Sequence, residues 1–273
     1  MNADLTVIKL GGSLLTDKQK PFSLKKLILK SVVNEVKLCL DIGLVKKLII
    51  VHGVGSFGHP PVLEYKLHLG YKNTNQLLQL SKTQQIVNQF RNAIADEFIK
   101  VGVPVNYFHA SSILVSETMK IKRIFLDSLD GYLSKGMVPL IGGDMIFDRI
   151  MGWSVGSGDQ IAALISNRLH ANNLIFASDV PGVFNSDPKV NDDAELINEI
   201  KLDRLESLIQ LMGKSKSRDA SGNMVGKLRT INVLRNDIRD GLNVNMISMV
   251  NPGNLIALLK KELKNYTKIS VIE

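Results

Sequence analysis

The chain has 273 residues, 45% of them hydrophobic and 22% charged, which is enough apolar material for a sizeable core and excludes a disordered polymer. Aromatic residues make up only 5%, and Val, Ile and Leu lead the apolar set, as in sheets covered by helices on both faces. The single cysteine, Cys39, excludes an internal disulfide and a cysteine-based zinc site, and the net charge of +8 points toward anionic ligands without choosing among nucleic acid, membrane surface and phosphorylated metabolite.

No basic and then apolar leader opens the sequence, and no apolar run approaches the roughly 18 to 20 residues of a membrane span. The expectation is a soluble protein of the cytoplasm. Short apolar runs alternate with stretches of helical period from end to end, which predicts repeated βα units in a three-layer αβα sandwich, an α/β fold with a mainly parallel central sheet. Thr6 to Leu10 reads as a strand entering Gly11, Gly12 and Ser13. Leu24, Ile28, Val32, Val36 and Cys39 then mark one face of a helix ending near Gly43. Leu48 to Val51 is the next strand, and it delivers His52 and a loop running through Gly53, Gly55, Gly58 and His59 to Pro60 and Pro61.

Ile86, Phe90, Ile94 and Phe98 lie at i+4 spacing on a long helix that closes near Gly102, followed by a strand from Val103 to Phe108. One or two of Leu77, Leu80, Val87, Phe90 and Ile94 are expected to touch a ligand and the rest to be core. Val138 to Ile141 reads as a strand delivering Gly142, Gly143 and Asp144; Gly156 and Ser157 precede a helix through Leu169 that Ser157 or Asp159 caps. Leu174 to Ala177 leads into Ser178, Asp179, Gly182 and Val183. Helices over Lys201 to Met212 and Val225 to Arg239, a strand at Val244 to Met249, a helix near Leu255 to Leu263 and a strand at Ile269 to Ile272 complete the chain. No linker or repeat interrupts it, so residues 1–273 read as one domain.

Three strand-to-loop junctions carry glycines: Gly11 with Gly12, Gly53 with Gly55 and Gly58, and Gly142 with Gly143. Glycine lets backbone N–H groups approach an anion closely, and several such loops imply more than one phosphate. The spacing from Gly53 to Gly58 matches the dinucleotide fingerprint, but the second strand and its acid about 20 residues on are missing, which disfavours a dehydrogenase. Gly-x-x-x-x-Gly-Lys-Ser/Thr is also absent.

Lys9 to Ser13, the His52-Gly53-x-Gly55 stretch, Ser157 to Asp159, Ser178 to Val183, and Ser221 to Met224 with Lys227 together resemble the amino acid kinase superfamily in order and over nearly the whole chain. Within it, Ser56 to Pro60 looks like the isopentenyl phosphate kinase branch, with the fosfomycin-resistance kinases sharing the histidine. The resemblance implies transfer of the γ-phosphoryl group of Mg-ATP to isopentenyl phosphate, with ATP and Mg²⁺ as cofactors, a homodimer, and neither nucleic acid nor membrane as partner. It further implies an acceptor-binding lobe over residues 1–170 and a nucleotide-binding lobe over 171–273.

By this resemblance His59, Lys9, Asp159 and Lys227 are catalytic: Lys9 bridges donor and acceptor phosphates, His59 hydrogen-bonds the acceptor phosphate, and Asp159 orients Lys9 and Lys227. Gly53, Val54, Gly55, Ser56, Gly58, Gly156 and Ser157 join His59 in holding the acceptor. Gly11, Gly12, Ser13, Lys18, Ser178, Asp179, Gly182, Val183 and Gly222 join Lys9 and Lys227 around the nucleotide. No metal-ligating side chain is assigned, and Asp144 reads either as a turn former or as a member of the same area. An attacking phosphate oxygen is already anionic, so such a reaction needs positioning and charge neutralisation rather than a strong base.

The sequence departs from the family pattern at Val54 and Asn223, where glycines are usual, and at Gly142, where histidine is frequent. Two other readings remain: a kinase for another small phosphate or phosphonate, such as dimethylallyl phosphate or fosfomycin, and a non-catalytic nucleotide- or RNA-binding regulator using the basic surface.

Overall fold

In the computed structural model the described residues are 4–272, apart from 18, 187, 189–190 and 214–219. The chain runs β1 (Leu5–Leu10), α1 (Gly12–Leu15), α2 (Lys26–Asp41), β2 (Lys47–His52), α3 (Gly55–Glu64), α4 (Asn75–Lys100), β3 (Val105–Tyr107) and α5 (Ala110–Ile113). Next come β4 (Leu114–Glu117), β5 (Lys120–Ile124), α6 (Asp127–Ser134), β6 (Val138–Gly142), β7 (Asp144–Asp148), β8 (Gly152–Gly156), α7 (Gly158–Arg168) and β9 (Asn173–Ser178). It closes with β10 (Val183–Phe184), β11 (Leu196–Ile197), β12 (Glu199–Lys201), α8 (Leu205–Gly213), α9 (Ala220–Asn232), α10 (Arg235–Arg239), β13 (Asn243–Ser248), α11 (Asn254–Leu259) and β14 (Thr267–Ser270).

The main sheet has the order β12-β14-β13-β9-β1-β2-β6-β3, and every neighbouring pair is parallel except β13 with β14. Side chains alternate across its faces, so β1 sends Leu5 and Val7 into one apolar cluster and Ile8 and Leu10 into the other. The first cluster is completed by α6, α7 and α9 through Leu129, Ile161 and Leu228, the second by α2, α4 and α11 through Val32, Phe90 and Leu255. Both faces are covered, which is why the strands read as unbroken apolar runs rather than alternating ones. Glu35 of α2 reaches across to accept the N–H groups of Leu255 (2.7 Å) and Ile256 (3.1 Å), supplying from a distance the cap that α11 lacks locally.

A smaller sheet, β5-β4-β7-β8, is not foreseen by the sequence pattern. Its outer strand Lys120–Ile124 carries charged side chains and lies half in solvent, so the periodic apolar signal is faint there. Asp148 ties its two turns together by accepting the N–H groups of Thr118, Met119, Ile150 and Met151 at 2.8–3.1 Å. Burial alone would raise this carboxyl, but the four donors outweigh it and hold its pKa at about 2.

The stretch expected to be a loop after Gly53 is helix α3. Pro60 and Pro61 argue against a helix because each removes an N–H. The carbonyl of Ser56, which loses its partner at Pro60, accepts the N–H of Phe22 at 3.2 Å instead, so the helix continues through the prolines. The single helix expected over Val225 to Arg239 is two, α9 and α10, broken before Leu234. The final helix ends at Leu259 and the last strand starts at Thr267, each a few residues from the expected bounds.

Candidate active site

Lys9 is the last inward residue of β1 on the α7 side of the sheet, in register with Val51 of β2 and Phe176 of β9. Its Nζ lies 2.8 Å from Oδ1 of Asp159 in the first turn of α7, and both side chains are almost wholly buried. A lone ammonium there would be costly, so the carboxylate is what permits a lysine inside an apolar strand. Burial pushes the Asp159 carboxyl up, but Lys9 and Lys227 outweigh it and its pKa falls below the ordinary value. Lys227 projects from α9 over the ring of Phe176, with Nζ 5.7 Å from the centroid. One carboxylate therefore faces two ammonium groups on one side of the sheet. Ser157 caps α7 by accepting the N–H of Asp159 at 3.2 Å, which fixes where the carboxylate emerges.

The first two glycine loops meet directly above Lys9. A Cβ on Gly12 would fall 2.6 Å from the Gly55 backbone, and one on Gly53 would fall 2.9 Å from the Gly12 nitrogen and 3.5 Å from Lys9 Nζ. Gly55 has φ +48°, and a Cβ there would lie 2.1 Å from Thr16 Oγ1. These positions exclude side chains on steric grounds alone. Thr16, which the sequence pattern did not single out, joins the loops: its hydroxyl donates to Gly12 O (2.7 Å) and accepts the N–H of Ser56 (3.0 Å). Gly11 donates its N–H to Ala177 O at 2.8 Å, Ser13 donates to Asp179 Oδ1 at 2.7 Å, and Lys25 Nζ donates to Ser13 O at 2.8 Å. Ser178 also donates to Asp179, at 3.2 Å, so the ends of β1 and β9 are tied together through Gly11, Ser13 and Asp179.

Val54 sits in right-handed helical geometry at the N-cap of α3, so its backbone does not call for the glycine usual in the family. Its side chain fills the space beside Gly58 and Gly143, where added Cβ atoms would lie 2.4 and 3.2 Å from it. His59 is exposed on the second turn of α3, on the element that carries Ser56 and Gly58. Gly156 pairs with Asp144 across β7 and β8 and leads directly to Ser157. On the other face of the sheet His52 is fully buried, with its ring edge-on to Phe90 and its carbonyl accepting the N–H of Gly143 at 2.9 Å.

Asp144 is buried beside Arg91, Ser111 and His109, and burial raises its pKa against the pull of Arg91. Gly182 packs against Thr267, whose Oγ1 would be 2.1 Å from an added Cβ; Thr267 in turn accepts the N–H of Val183. Packing against Thr267 is thus one reason for the glycine at 182, and Val183 is buried beside it. Gly222 lies within α9, and Lys18 lies outside the described residues. Of the apolar set on α4, Val87, Phe90 and Ile94 are core and Leu77 is half exposed, while Leu80 packs on a small cluster of Leu67, Met145 and Trp153 beside α3.

Two ammonium groups, a shared carboxylate, touching glycine loops and the start of a helix form an arrangement suited to holding several phosphates together. A profile of the amino acid kinase family matches residues 4–239. The chain belongs to the amino acid kinase family. Among family members it is similar to the isopentenyl phosphate kinase of Methanothermobacter thermautotrophicus, at 32% identity over 95% of this chain and 97% of that one. The isopentenyl phosphate kinase of Methanocaldococcus jannaschii is 32% identical over 83% and 86% of the two chains. A crystal structure of an isopentenyl phosphate kinase superposes with TM-score 0.81 at 28% identity, covering 97% of this chain and all of that one. No helix among the described residues is long and apolar enough to cross a membrane.

Proposed function

We propose that this chain is an isopentenyl phosphate kinase, transferring the γ-phosphoryl group of ATP to isopentenyl phosphate to give isopentenyl diphosphate and ADP. The observation that carries the reading is the meeting of the Gly12 and Gly55 backbones above the buried Lys9–Asp159 pair, in a chain whose acceptor loop ends in His59. Donor and acceptor anions repel, and Lys9 beneath the junction offsets that repulsion where the two phosphates must approach. Asp159 faces Lys9 and Lys227 and aims them. His59, exposed on α3, hydrogen-bonds the acceptor phosphate as charge develops on it. Gly53, Val54, Gly55, Ser56 and Gly58, with Gly156 and Ser157, hold the acceptor. Gly11, Gly12, Ser13, Ser178 and Asp179 hold the nucleotide, joined by Lys18, Gly182, Val183 and Gly222.

Magnesium, in this reading, arrives on the phosphates of ATP, as it commonly does where a protein supplies one or two carboxylates at most. Among the described residues no three metal-ligating side chains cluster, and the Ser13–Asp179 pair at the β1–β9 junction is the donor set that fits such an ion. When bound, the ion neutralises phosphate charge. The acceptor lobe is residues 1–170 and the nucleotide lobe 171–273, joined by one continuous sheet. We also infer a cytoplasmic homodimer with no nucleic-acid partner.

The test is ADP release from Mg-ATP with isopentenyl phosphate, dimethylallyl phosphate, fosfomycin and glutamate as separate acceptors. Efficient turnover with isopentenyl phosphate is expected. Turnover on fosfomycin or glutamate alone overturns the substrate but keeps phosphoryl transfer, and silence with all four overturns the enzyme.

A further inference from the structure

Beneath the acceptor loop, on the face of the main sheet opposite Lys9, lies a buried polar cluster that the phosphate-handling residues do not include. Its centre is Arg91 of α4, which has no exposed surface. Arg91 Nε donates to His52 Nε2 at 3.2 Å, and Nη1 donates to Asn88 Oδ1 at 2.7 Å and to His109 Nδ1 at 2.8 Å. Nη2 lies 3.8 Å from Asp144 Oδ2, which also accepts from Ser111. Replacing a buried ionic group with well-packed apolar residues is commonly neutral or stabilising, so stability alone does not account for an arginine here.

A guanidinium offers donors only, so the His52 Nε2 that faces it is the accepting nitrogen and the ring proton sits on Nδ1. Nδ1 is 3.1 Å from the carbonyl oxygen of Gly53, which accepts that proton in a hydrogen bond. Burial first, then the charge of Arg91, lower the His52 pKa to about 3, with the Gly53 contact opposing and Lys9 adding slightly, so the ring is neutral at working pH. The ring occupies the space that Gly142 leaves, since a Cβ there would lie 2.2 Å from it, and it packs edge-on to Phe90. The Gly53–Val54 peptide is trans, so its carbonyl and its N–H point in opposite directions. With the Gly53 carbonyl turned toward the His52 ring, the Val54 N–H is turned away from it, to the other side of the loop.

We propose that Arg91 and His52 are positioning residues of the acceptor loop: Arg91 sets the His52 tautomer, and His52 holds the Gly53–Val54 peptide so that the Val54 N–H faces the acceptor phosphate. The proposal rests on the reading of Gly53 to His59 as the acceptor site. It separates two conservative variants that a packing role treats alike. In His52→Asn the side-chain amide takes the place of Nδ1 and still donates to Gly53, whereas in His52→Gln it reaches the place of Nε2 and leaves the Gly53 carbonyl.

The experiment measures steady-state constants for both substrates, together with melting temperatures and long-range ¹H–¹⁵N spectra of histidine-labelled protein. His52→Gln is expected to raise the acceptor KM about tenfold, the effect of one lost hydrogen bond, with the ATP KM within about twofold of wild type. His52→Asn is expected to recover most of that loss. Equal effects of the two variants, or parallel changes in both KM values, overturn the proposal. In the spectra the wild-type ring is expected to carry its proton on Nδ1, and a proton on Nε2 overturns the geometry. Arg91→Lys, which loses the fork, is expected to mix the tautomers; a pure wild-type signal there removes Arg91 from the role. The spectra need no substrate, so failure of wild type to phosphorylate isopentenyl phosphate sinks the substrate reading alone and leaves the tautomer assignment to be decided separately.

Discussion

Asp159→Asn keeps the shape of the side chain and removes the one charge that faces both Lys9 and Lys227. Breaking one side of a buried ion pair costs about 3–5 kcal/mol. Lys9 and Asp159 keep 8% and 13% of their side-chain surface exposed, which favours the lower end, about 3 kcal/mol. At ~2–4 °C per kcal/mol for a chain of this size class, the melting temperature should fall by about 6–12 °C. The loss is electrostatic, so an anionic ligand should compensate for it: at equal ATP concentration the thermal shift should be larger in the variant than in wild type. Turnover should nevertheless drop by about 10²-fold, because both lysines lose their orientation. The pH dependence has a definite sign. Since the native Asp159 pKa is depressed, its contribution is full above the ordinary value of about 4 and fades as pH falls through the native value; the variant should lack that acid limb. Differential scanning fluorimetry with and without ATP reads all the stability terms. An unchanged melting temperature, or equal ATP shifts in both proteins, would refute the reasoning.

His59 is exposed, so His59→Ala should leave the melting temperature unchanged while lowering kcat by about 10²–10³, and wild-type turnover would remove it from the mechanism. Gly55→Ala should destabilise by about 2 kcal/mol or more and weaken acceptor binding, because it combines a left-handed φ with a close approach to Thr16; Gly43→Ala, at φ +72° in open space, is the control and should cost about 1 kcal/mol with KM unchanged. Asp148→Asn should lose about 2 kcal/mol at neutral pH in urea titrations. Because that carboxyl has a native pKa of about 2, the gap from wild type should narrow as pH drops from about 4 toward 2, and a constant gap would contradict the assignment.

The layered α/β plan was legible because β1, β2, β6 and β9 are apolar on both faces and their connecting helices carry a clear period. The small sheet was not, because Lys120–Ile124 is held by pairing with Leu114–Glu117 and by the distant carboxylate of Asp148, neither of which leaves a local periodic mark. Helix α3 was missed for a related reason. Pro60 and Pro61 forbid the helix locally, and the Phe22 N–H that compensates lies more than thirty positions away in the sequence.

At the site, the glycines at the strand ends pointed by themselves to bound phosphates, while the roles given to Lys9 and His59 came from the resemblance of their motifs to the amino acid kinase superfamily. The glycine signal is local, since it follows from what one residue type can do in its own stretch of backbone. The resemblance had already set Asp159 against Lys9, which the 2.8 Å pair agrees with; only the tertiary structure decided that Thr16 joins the two loops, that Gly182 packs on Thr267 and that Arg91 reaches beneath the loop to His52. These are contacts between residues far apart in the chain, set by strand register and helix packing, and a polar residue in sequence carries no mark of the partner that burial will give it.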